Sequence, residues 1–513
     1  MHYDFAITCR TPVGPSQEGP GDRAFRLLAA HVAAGRRCAA FVAEPPSLKA
    51  SSALSDRVIW IRVSPDRLSP SANMGGAELN FPLALCESIV AFLRDHSVHM
   101  LEFSAAEGDG FYFISHNIIH RLVPEVVVRL DPPGFITNED KGERTCTLHQ
   151  AFVYAGELEA IRGADHVLYE DEHLLGRVLA AFDPRVAHAI RARCVSSPAT
   201  PDAADACFGL ARPPIPPAPP ARLGVVIPHW EDADHLAVLL ARLEAAPEPE
   251  RLEIVVVDDG SSGPVRQRLV ELGRAHPRVK FLRTDKDRSG PFVARRIGVL
   301  ATTTDVIALV DSDDIMEPAF YLRYAQALAQ DPAIDVIIPA MHTFGRETRP
   351  WIPLPKARFT AYFTGFAHTG LVSRKAPLLA AFAHAFDHAS GIAHAEDCIL
   401  SLSLLFGGAN IISLSERAYH YRRAHANSRS QSNGNLIPNS RLARDRHFDR
   451  CMSEALAGGS LTPLDLRLVR QIALSLPPDY NALQLHSRGI RVPWHTHAYR
   501  ALRSLLRDPR YHP

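Results

Sequence analysis

The 513-residue sequence has little that would place it in a membrane, in an oxidising compartment or on nucleic acid. No apolar run approaches the roughly 18 residues that span a bilayer, and the start lacks a basic segment followed by an apolar one. The eight cysteines are scattered without a Cys-x-x-Cys pair, so nothing indicates a disulfide framework. We therefore expect a cytoplasmic protein without a transmembrane segment.

Neither charge sign is in excess. Lysine plus arginine and aspartate plus glutamate both number 56, so no global field favours nucleic acid or an acidic membrane. Local basic stretches such as 417–429 could still contact phosphate, an anionic acceptor or a membrane periphery. We expect no nucleic-acid partner.

The length predicts more than one domain, because chains above roughly 250 to 300 residues usually split. The clearest boundary is the proline run at 213–220, which we interpret as an extended linker over 211–221; a proline-rich ligand for a recognition domain is the alternative. It separates a domain over 1–210 from one over 222–435. Residues 436–513 form a predicted helical C-terminal extension. Helix patterns in this extension cover 440–456, 463–476 and 496–507.

Strand and helix patterns alternate in both domains, which predicts an α/β protein with two Rossmann-like, doubly wound sheets. In the first domain the predicted strands cover 41–43, 58–61, 100–103 and 126–130, and helix patterns cover 23–34 and 83–94.

Polar residues follow three apolar strands of the second domain. Strand 223–227 leads into Pro228-His229-Trp230-Glu231, strand 254–257 into Asp258-Asp259-Gly260-Ser261, and strand 306–310 into Asp311-Ser312-Asp313-Asp314. The Asp-Gly pair could signal a hairpin, but the helical spacing after it favours a strand-to-helix junction. The carboxyl ends of such strands form the edge where open α/β sheets bind ligands. An aromatic ring, a carboxylate pair and an Asp-x-Asp there suit a base, a ribose and a metal-bound diphosphate.

Five motifs in order make residues 222 to about 430 resemble the catalytic domain of glycosyltransferase family 2, which has the GT-A fold. They are Ile227 to Glu231 for the family's "IPxYN", Val256 to Ser261 for "VVDDGS", Gly290 to Gly298 for "G..ARN.G", Val310 to Pro318 for "LDSDD..P", and Glu396-Asp397 for "ED". Glu231 and Arg296 depart from the pattern, because the family usually has Asn at both places. Arg296 would add charge near the diphosphate or take part in a surface ion pair.

The resemblance implies a set of donor-binding residues at the sheet edge. These are Pro228, Trp230, Glu231, Asp259, Arg295, Asp311 and Ser312. A core role for Trp230 and a solvated surface role for Arg295 are the alternatives.

The resemblance also implies a divalent cation, Mn²⁺ or Mg²⁺. Asp313 would coordinate it, and Asp311 would bind the ribose or the cation's water shell. His425, with His420 as its rival, would complete the site from the segment that resembles "YR.H..S". The alternative for Asp311 to Asp314 is an acidic turn in which Asp314 caps a helix.

Asp397 fits the family's general base, which takes the proton from an acceptor hydroxyl. The alternative is that Glu396 and Asp397 only stabilise the N-terminus of the apolar helix that follows. One base and one metal imply direct displacement with inversion at the anomeric carbon.

The predicted function is transfer of a sugar from a nucleotide-sugar, UDP-sugar first, to a carbohydrate or glycoconjugate acceptor in surface polysaccharide or glycoconjugate synthesis. The alternatives are a non-catalytic nucleotide-binding or scaffolding module and a nucleotidyltransferase, although the latter's Gly-rich basic loop is missing after the first strand. Specificity is expected between Pro339 and Lys375, with wall residues Trp351, Phe366, His368 and Thr369.

Residues 1–210 resemble more faintly the N-terminal half of a family 4 glycosyltransferase of GT-B type. The features are the glycine-containing loop at 12–19, the segment 124–134 and the segment 157–168. Because the sequence has no second half of that type, an acceptor-binding or scaffolding role is expected for this domain.

Overall fold

The computed structural model describes residues 1–11, 13, 20–44, 46, 52–54, 57–65, 80–196, 219–345, 348, 350–361, 370–390, 396–423 and 437–475. The chain divides into two compact units. The first contains residues 1–214 and 461–475, and the second contains residues 215–460 and 476–513. The predicted domain boundaries stay predictions.

The first unit is built on a seven-stranded sheet in which every neighbouring pair is parallel. The strands are β1 His2–Cys9, β2 Cys38–Val42, β3 Val58–Arg62, β4 Ser97–Ser104, β5 Glu125–Arg129, β6 His166–Tyr169 and β7 Cys194–Ser196. Their order, β3-β2-β1-β4-β5-β6-β7, is that of a doubly wound dinucleotide-type sheet.

Helices connect these strands in the described part of the unit. They are α1 Pro20–Ala33, α2 Asn80–Phe92, α3 Phe111–His120, α4 Gly134–Asp140, α5 Leu148–Gly163, α6 Glu172–Leu179 and α7 Pro184–Arg191. Strand β5 is buried along its whole length, as expected where helices cover both faces of a parallel sheet. Thr147 begins α5 with a capping box, since its side chain accepts from Gln150 N–H and the Gln150 side chain accepts from Thr147 N–H.

The second unit carries a mixed nine-stranded sheet. Its strands are β8 Leu223–His229, β9 Leu252–Asp258, β10 Lys280–Arg283, β11 Val306–Leu309, β12 Ile315–Met316, β13 Val336–Gly345, β14 Pro350–Trp351, β15 Val372–Arg374 and β16 Ile411–Arg423. The order is β10-β9-β8-β11-β15-β13-β16-β12, with β14 beside β13. Strands β10, β9, β8 and β11 are mutually parallel, and β15 is antiparallel to both of its neighbours.

The helices of the second unit are α8 Ala233–Glu244, α9 Gly263–Ala275, α10 Pro291–Ala301, α11 Pro318–Gln330, α12 Lys375–Ala389, α13 Glu396–Phe406 and α14 Ile437–Ala457. The predicted α/β fold class with a GT-A domain is confirmed. All seven residues of β8 are buried, which agrees with the apolar run from which the strand was predicted.

The predicted C-terminal extension is shared between the two units. Helix α14 belongs to the second unit, whereas the next helix, α15 Pro463–Ser475, belongs to the first. In the first unit Arg467 pairs with Glu139 at 2.5 Å, and Gln471 Nε2 donates to Glu143 O at 2.6 Å. The third predicted helix, 496–507, lies outside the described residues, as do residues 197–218 with most of the proline run. No helix in the described part of the chain is both long and apolar enough to cross a membrane.

Helix α10 lies close to the sheet because Gly298 has no side chain. A Cβ at this position would lie inside van der Waals contact with Val226 Cγ1 on β8. Gly273 on α9 differs, since a Cβ there would lie 3.5 Å from the nearest atom of Phe281.

We expect Gly298→Ala to lower the free energy of unfolding by about 1–3 kcal/mol, because the added methyl overpacks the helix against β8. Gly273→Ala should leave stability unchanged or raise it by about 0.5–1 kcal/mol, since alanine favours the helix. Denaturant unfolding of both variants beside the wild type measures the difference. Equal effects would contradict the packing assigned to Gly298.

Candidate functional site

The candidate site lies where the second unit's sheet changes winding direction. The chain passes from β8 to β9 and β10 on one side and then crosses to β11 on the other side of β8. The carboxyl ends of β8 and β11 therefore bound a crevice of the kind that binds ligands in open α/β sheets. The predicted junctions after β8, β9 and β11 all lie at this edge.

Asp259, just after β9, holds the loop that leads into α10. Its Oδ2 accepts from Gly290 N–H at 2.9 Å and its Oδ1 from the Thr284 hydroxyl at 3.2 Å. The side chain is 2% exposed. The predicted donor-binding carboxylate thus also fixes the start of a helix whose N-terminus faces the same edge.

The neighbouring Asp258 is held by contacts with Ser261 and His229. Its Oδ1 accepts from the Ser261 hydroxyl at 2.5 Å and lies 3.6 Å from His229 Nδ1. Burial raises its pKa, but hydrogen bonds from His229 and Ser261 outweigh this and leave the pKa below its ordinary value. Asp258 therefore stays ionised.

The end of β8 brings Trp230 to the rim of the crevice. Trp230 is partly exposed, and the Arg288 guanidinium lies 4.9 Å from its ring centroid. Pro228 is buried inside β8. The partial exposure of the ring is compatible with the predicted stacking on a base, and the Arg288 guanidinium covers part of the ring.

Glu231, which departs from the family pattern, contacts the N-terminus of the next helix, α9. It has a left-handed backbone with φ of 61°. Its carboxylate accepts from Ser262 N–H at 2.5 Å and from the Ser262 hydroxyl at 2.9 Å. Because Ser262 is the N-cap of α9, Glu231 places a negative charge at that helix N-terminus.

Residues 311 to 314 form a turn after β11, in which Asp314 N–H donates to Asp311 O at 3.2 Å. Asp311 and Asp313 are partly exposed, whereas Ser312 and Asp314 are buried. The two predicted metal-holding carboxylates are therefore the partly exposed ones of the turn, whereas Ser312 is buried.

Asp314 does not cap a helix, since Glu317 is the N-cap of α11. Its Oδ2 accepts from the Tyr419 hydroxyl and its Oδ1 from Arg422 N–H, each at 2.7 Å. Burial, followed by the charges of Asp313 and Asp311, raises its pKa well above the ordinary value. Tyr419 also accepts from Asp311 N–H at 3.2 Å, so strand β16 shapes the turn.

Arg295 joins the acidic turn to α13. Its Nη2 donates to Asp311 Oδ1 at 2.6 Å and its Nη1 to Glu396 Oε1 at 2.9 Å. The arginine is 4% exposed, so the solvated surface role considered from the sequence is wrong. Its Nε is buried and has no hydrogen-bond partner among the described residues. Arg296, in contrast, packs its guanidinium over Phe386 at 5.4 Å.

Asp397, the predicted base, stands in the first turn of α13 beside Glu396. Its Oδ1 accepts from Cys398 N–H at 2.8 Å. Burial, and then the negative charge of Glu396, raise its pKa to about 7, although Arg295 acts in the opposite direction. A carboxyl group with a pKa near neutrality can exchange protons with a hydroxyl acceptor.

Of the two histidines predicted to complete the metal site, only His420 lies among the described residues. His425 lies outside the described residues. His420 lies on β16 with its Nε2 3.0 Å from Glu317 Oε1, an acid that also accepts from Arg242. His420 is thus engaged with the start of α11.

Within the predicted specificity stretch, Phe366, His368 and Thr369 lie outside the described residues. Trp351 is half-buried on β14, beside Met341 of β13. In the same stretch, Lys356 was not singled out from the sequence. It is 8% exposed, and burial lowers its pKa to about 7.

The sequence analysis also did not predict that Glu396 pairs with Arg295, or that Tyr419 and Arg422 contact the acidic turn. The alternation of polar and aromatic residues along 417–423 was the available signal for the last two.

The first unit has its own cleft at the switch point between β1 and β4. It encloses about 80 Å³ and is lined by three arginines and several carboxylates. Arg129 Nε donates to Glu102 Oε1 at 2.7 Å, both residues being about 5% exposed. Arg10 pairs with Asp109 at 2.5 Å. The family 4 resemblance and the acceptor-binding or scaffolding role of this unit stay predictions, and the loop 12–19 is described only at Val13.

A mixed α/β sheet with an acidic turn at its switch point agrees with the fold that the resemblance to glycosyltransferases implied. Residues 224–389 match the model of the family described as Glycosyl transferase family 2. This match confirms the resemblance that was inferred from the motifs of the second unit.

Several curated proteins are similar to part of the chain. The chain is 28% identical over 125 residues to the succinoglycan biosynthesis protein ExoA of Rhizobium meliloti, covering 24% of this chain and 37% of the relative. It is 30% identical over 168 residues to a pre-mycofactocin glycosyltransferase of Mycobacterium tuberculosis, covering 32% of each. A dolichol-phosphate mannosyltransferase of Pyrococcus furiosus is 26% identical over 130 residues, covering 25% and 36%. The chain thus spans about a third of the length of these relatives.

Among solved structures, S. aureus TarS in complex with UDP-GlcNAc aligns with a TM-score of 0.36 and 16% identity, covering 56% of this chain and 91% of that one. The mannosyltransferase PcManGT from Pyrobaculum calidifontis, in complex with GDP-Man and Mn²⁺, aligns with a TM-score of 0.34 and 16% identity, covering 58% and 91%.

We expect Arg295→Leu to lower the free energy of unfolding by about 3–5 kcal/mol, because it leaves Asp311 and Glu396 without their shared cation. Arg296→Leu, one position along the same helix, should cost less than about 1 kcal/mol, because its guanidinium only covers an aromatic ring. Denaturant unfolding at neutral pH compares them. A loss for Arg295→Leu no larger than that for Arg296→Leu would contradict the central place given to this ion pair.

Proposed function

We propose that the second unit transfers a sugar from a nucleotide-sugar donor to a hydroxyl acceptor. The observation that carries the proposal is the Arg295 bridge, which brings the acidic turn after β11 next to the Glu396-Asp397 pair of α13. A donor-binding acidic group and a potential base are the two parts that such a transfer needs.

Asp311 and Asp313 suit a divalent cation. Carboxylate oxygens are the ligands that Mg²⁺ and Mn²⁺ prefer, and both residues are partly exposed. When bound there, the cation would neutralise the charge that develops on the leaving diphosphate. We propose these two residues as its holders, with His425 as a further candidate.

The nucleotide would lie along the ends of β8 and β9. Trp230 offers a ring face for the base, and Asp259 and the N-terminus of α10 lie at the same edge. We propose UDP as the nucleotide to test first.

Asp397 would accept the proton of the acceptor hydroxyl as that oxygen attacks the anomeric carbon. With the bond to the leaving diphosphate breaking on the opposite face, one displacement inverts the anomeric configuration. The proton passes from the acceptor oxygen to Asp397, and the electron pair of the broken bond leaves with the diphosphate. The anomeric configuration of an isolated product tests this assignment.

For the acceptor class we propose a polysaccharide or glycoconjugate. Support comes from the relative ExoA, which takes part in succinoglycan biosynthesis, and from the relative that acts as a dolichol-phosphate mannosyltransferase.

The first prediction for this site concerns nucleotide binding. We expect calorimetric titration to show UDP binding with Mn²⁺ and binding weaker by about tenfold or more without it. Asp313→Ala should lose the metal-dependent part. Asp305→Ala is the matched control, because this exposed acid precedes the opposite end of β11.

If the wild type binds none of UDP, GDP and dTDP, the alternative of a non-catalytic scaffold is favoured. Binding that is indifferent to Mn²⁺ and to Asp313→Ala would remove the cation from the proposal.

The second prediction concerns pH. Because the pKa of Asp397 is raised to about 7, its basic form is lost as pH falls through that value, so kcat/KM for transfer should rise with pH and level off above about 7. Asp397→Asn should lower kcat by ~10²–10⁴-fold while retaining UDP binding. Transfer to an identified acceptor over a pH series provides the measurement. An Asp397→Asn enzyme with the same rate and pH profile would show that another group is the base.

A further inference from the structure

Two helices of the second unit each carry a pair of potential metal ligands one turn apart. Helix α12 has His384 and His388, and helix α14 has His447 and Cys451. Residues four positions apart in a helix lie on the same face. The two pairs meet, since the His447 ring centroid lies 5.1 Å from that of His384 and 5.2 Å from that of His388.

The ligand atoms are arranged closely enough for one ion. One ligand atom each from His384, His447 and Cys451 lies within 4.8 Å of the other two. Cys451 Sγ lies 3.5 Å from His447 Nε2. Zinc bonds of about 2.3 Å to sulfur and about 2.0–2.1 Å to nitrogen, at a tetrahedral angle, separate the two ligand atoms by about 3.6 Å.

An outer carboxylate orients His384. Glu454, one turn beyond Arg450 on α14, lies with its Oε2 2.7 Å from His384 Nε2. When Nε2 donates to this carboxylate, Nδ1 presents its lone pair on the other side of the ring, where Ser403 Oγ lies 3.0 Å away. A histidine whose second nitrogen binds a carboxylate is the usual arrangement around zinc.

His447 and Cys451 are buried, whereas His384 is partly exposed. His447 is 0% exposed and Cys451 1% exposed. His447 Nε2 lies 2.7 Å from Ser403 Oγ, but His447 Nδ1 has no hydrogen-bond partner in the described part of the chain.

We propose that His384, His447 and Cys451 bind a Zn²⁺ ion that fastens α14 to α12. Two histidines and a thiolate select zinc over the hard cations suited to Asp311 and Asp313. Helix α14 also packs Phe448 against Phe406 of α13, so the ion would support the helix that carries Asp397. The site is independent of the proposed transferase activity.

The test is a Co²⁺ titration of chelator-treated full-length protein in excess Mg²⁺, which occupies carboxylate sites without giving a colour. The expected result is a near-ultraviolet thiolate-to-cobalt band that saturates at stoichiometric Co²⁺ and disappears on addition of Zn²⁺. Cys451→Ser should lose this band, whereas Cys194→Ser, in the other unit, should keep it. A wild type without the band, or a Cys451→Ser variant that retains it, overturns the proposal.

A second measurement needs no variant and so does not depend on how Cys451→Ser folds. Zinc should remain with the wild type after gel filtration, and Zn²⁺ should raise the melting temperature of chelator-treated protein because it binds only the folded state. Protein that retains no zinc and melts at the same temperature with and without Zn²⁺ also overturns it. Neither readout uses nucleotide or acceptor, so failure of the transferase assay leaves both interpretable.

Discussion

The ion-pair bridge through Arg295 is the interaction on which the candidate site depends. The guanidinium holds Asp311 after β11 and Glu396 at the start of α13. Arg295 and Glu396 are buried, and Asp311 is partly exposed. A buried ion pair contributes little net stability over an apolar replacement, whereas removal of one partner is costly. The bridge is therefore better explained by its effect on the position of the acidic turn than by its contribution to stability, because it fixes the distance between that turn and Asp397.

Strand β16 completes this arrangement from the other side. Tyr419 joins the Asp314 carboxylate to the backbone of Asp311, and Arg422 donates its side-chain Nε to Asp313 O at 2.8 Å. Gly370 makes room for the tyrosine, since a Cβ at this left-handed position would lie 2.7 Å from its ring. The turn is thus held by a remote strand as well as by its own hydrogen bond, which preorganises its carboxylates.

The sequence predicted the strands and the acidic edge because both follow from local rules. An unbroken apolar run such as 254–257 indicates a strand buried on both faces, and the carboxyl ends of parallel strands must share one edge. The role of Arg295 could not be predicted in this way, since its partner Glu396 is 101 positions away and meets it only through packing. The contact of Glu231 with Ser262 was not predicted, for a related reason. Its capping of Ser262 depends on the left-handed turn after β8, which no periodicity reveals.

The charge balance of the acidic cluster supports the proposed cation. Asp311, Asp313, Asp314, Glu396 and Asp397 lie together, and the side chain that pairs with two of them is Arg295. Burial, and then the neighbouring negative charges, raise the pKa of Asp314 and Asp397. Protonation of these two carboxyl groups therefore offsets part of the negative charge. A divalent cation at the partly exposed Asp311 and Asp313 would take over that compensation, lowering the proton affinity of Asp397. Cation binding and the availability of the base are thereby coupled through the same electrostatic field, which favours an Asp397 that becomes a base when the donor site is filled.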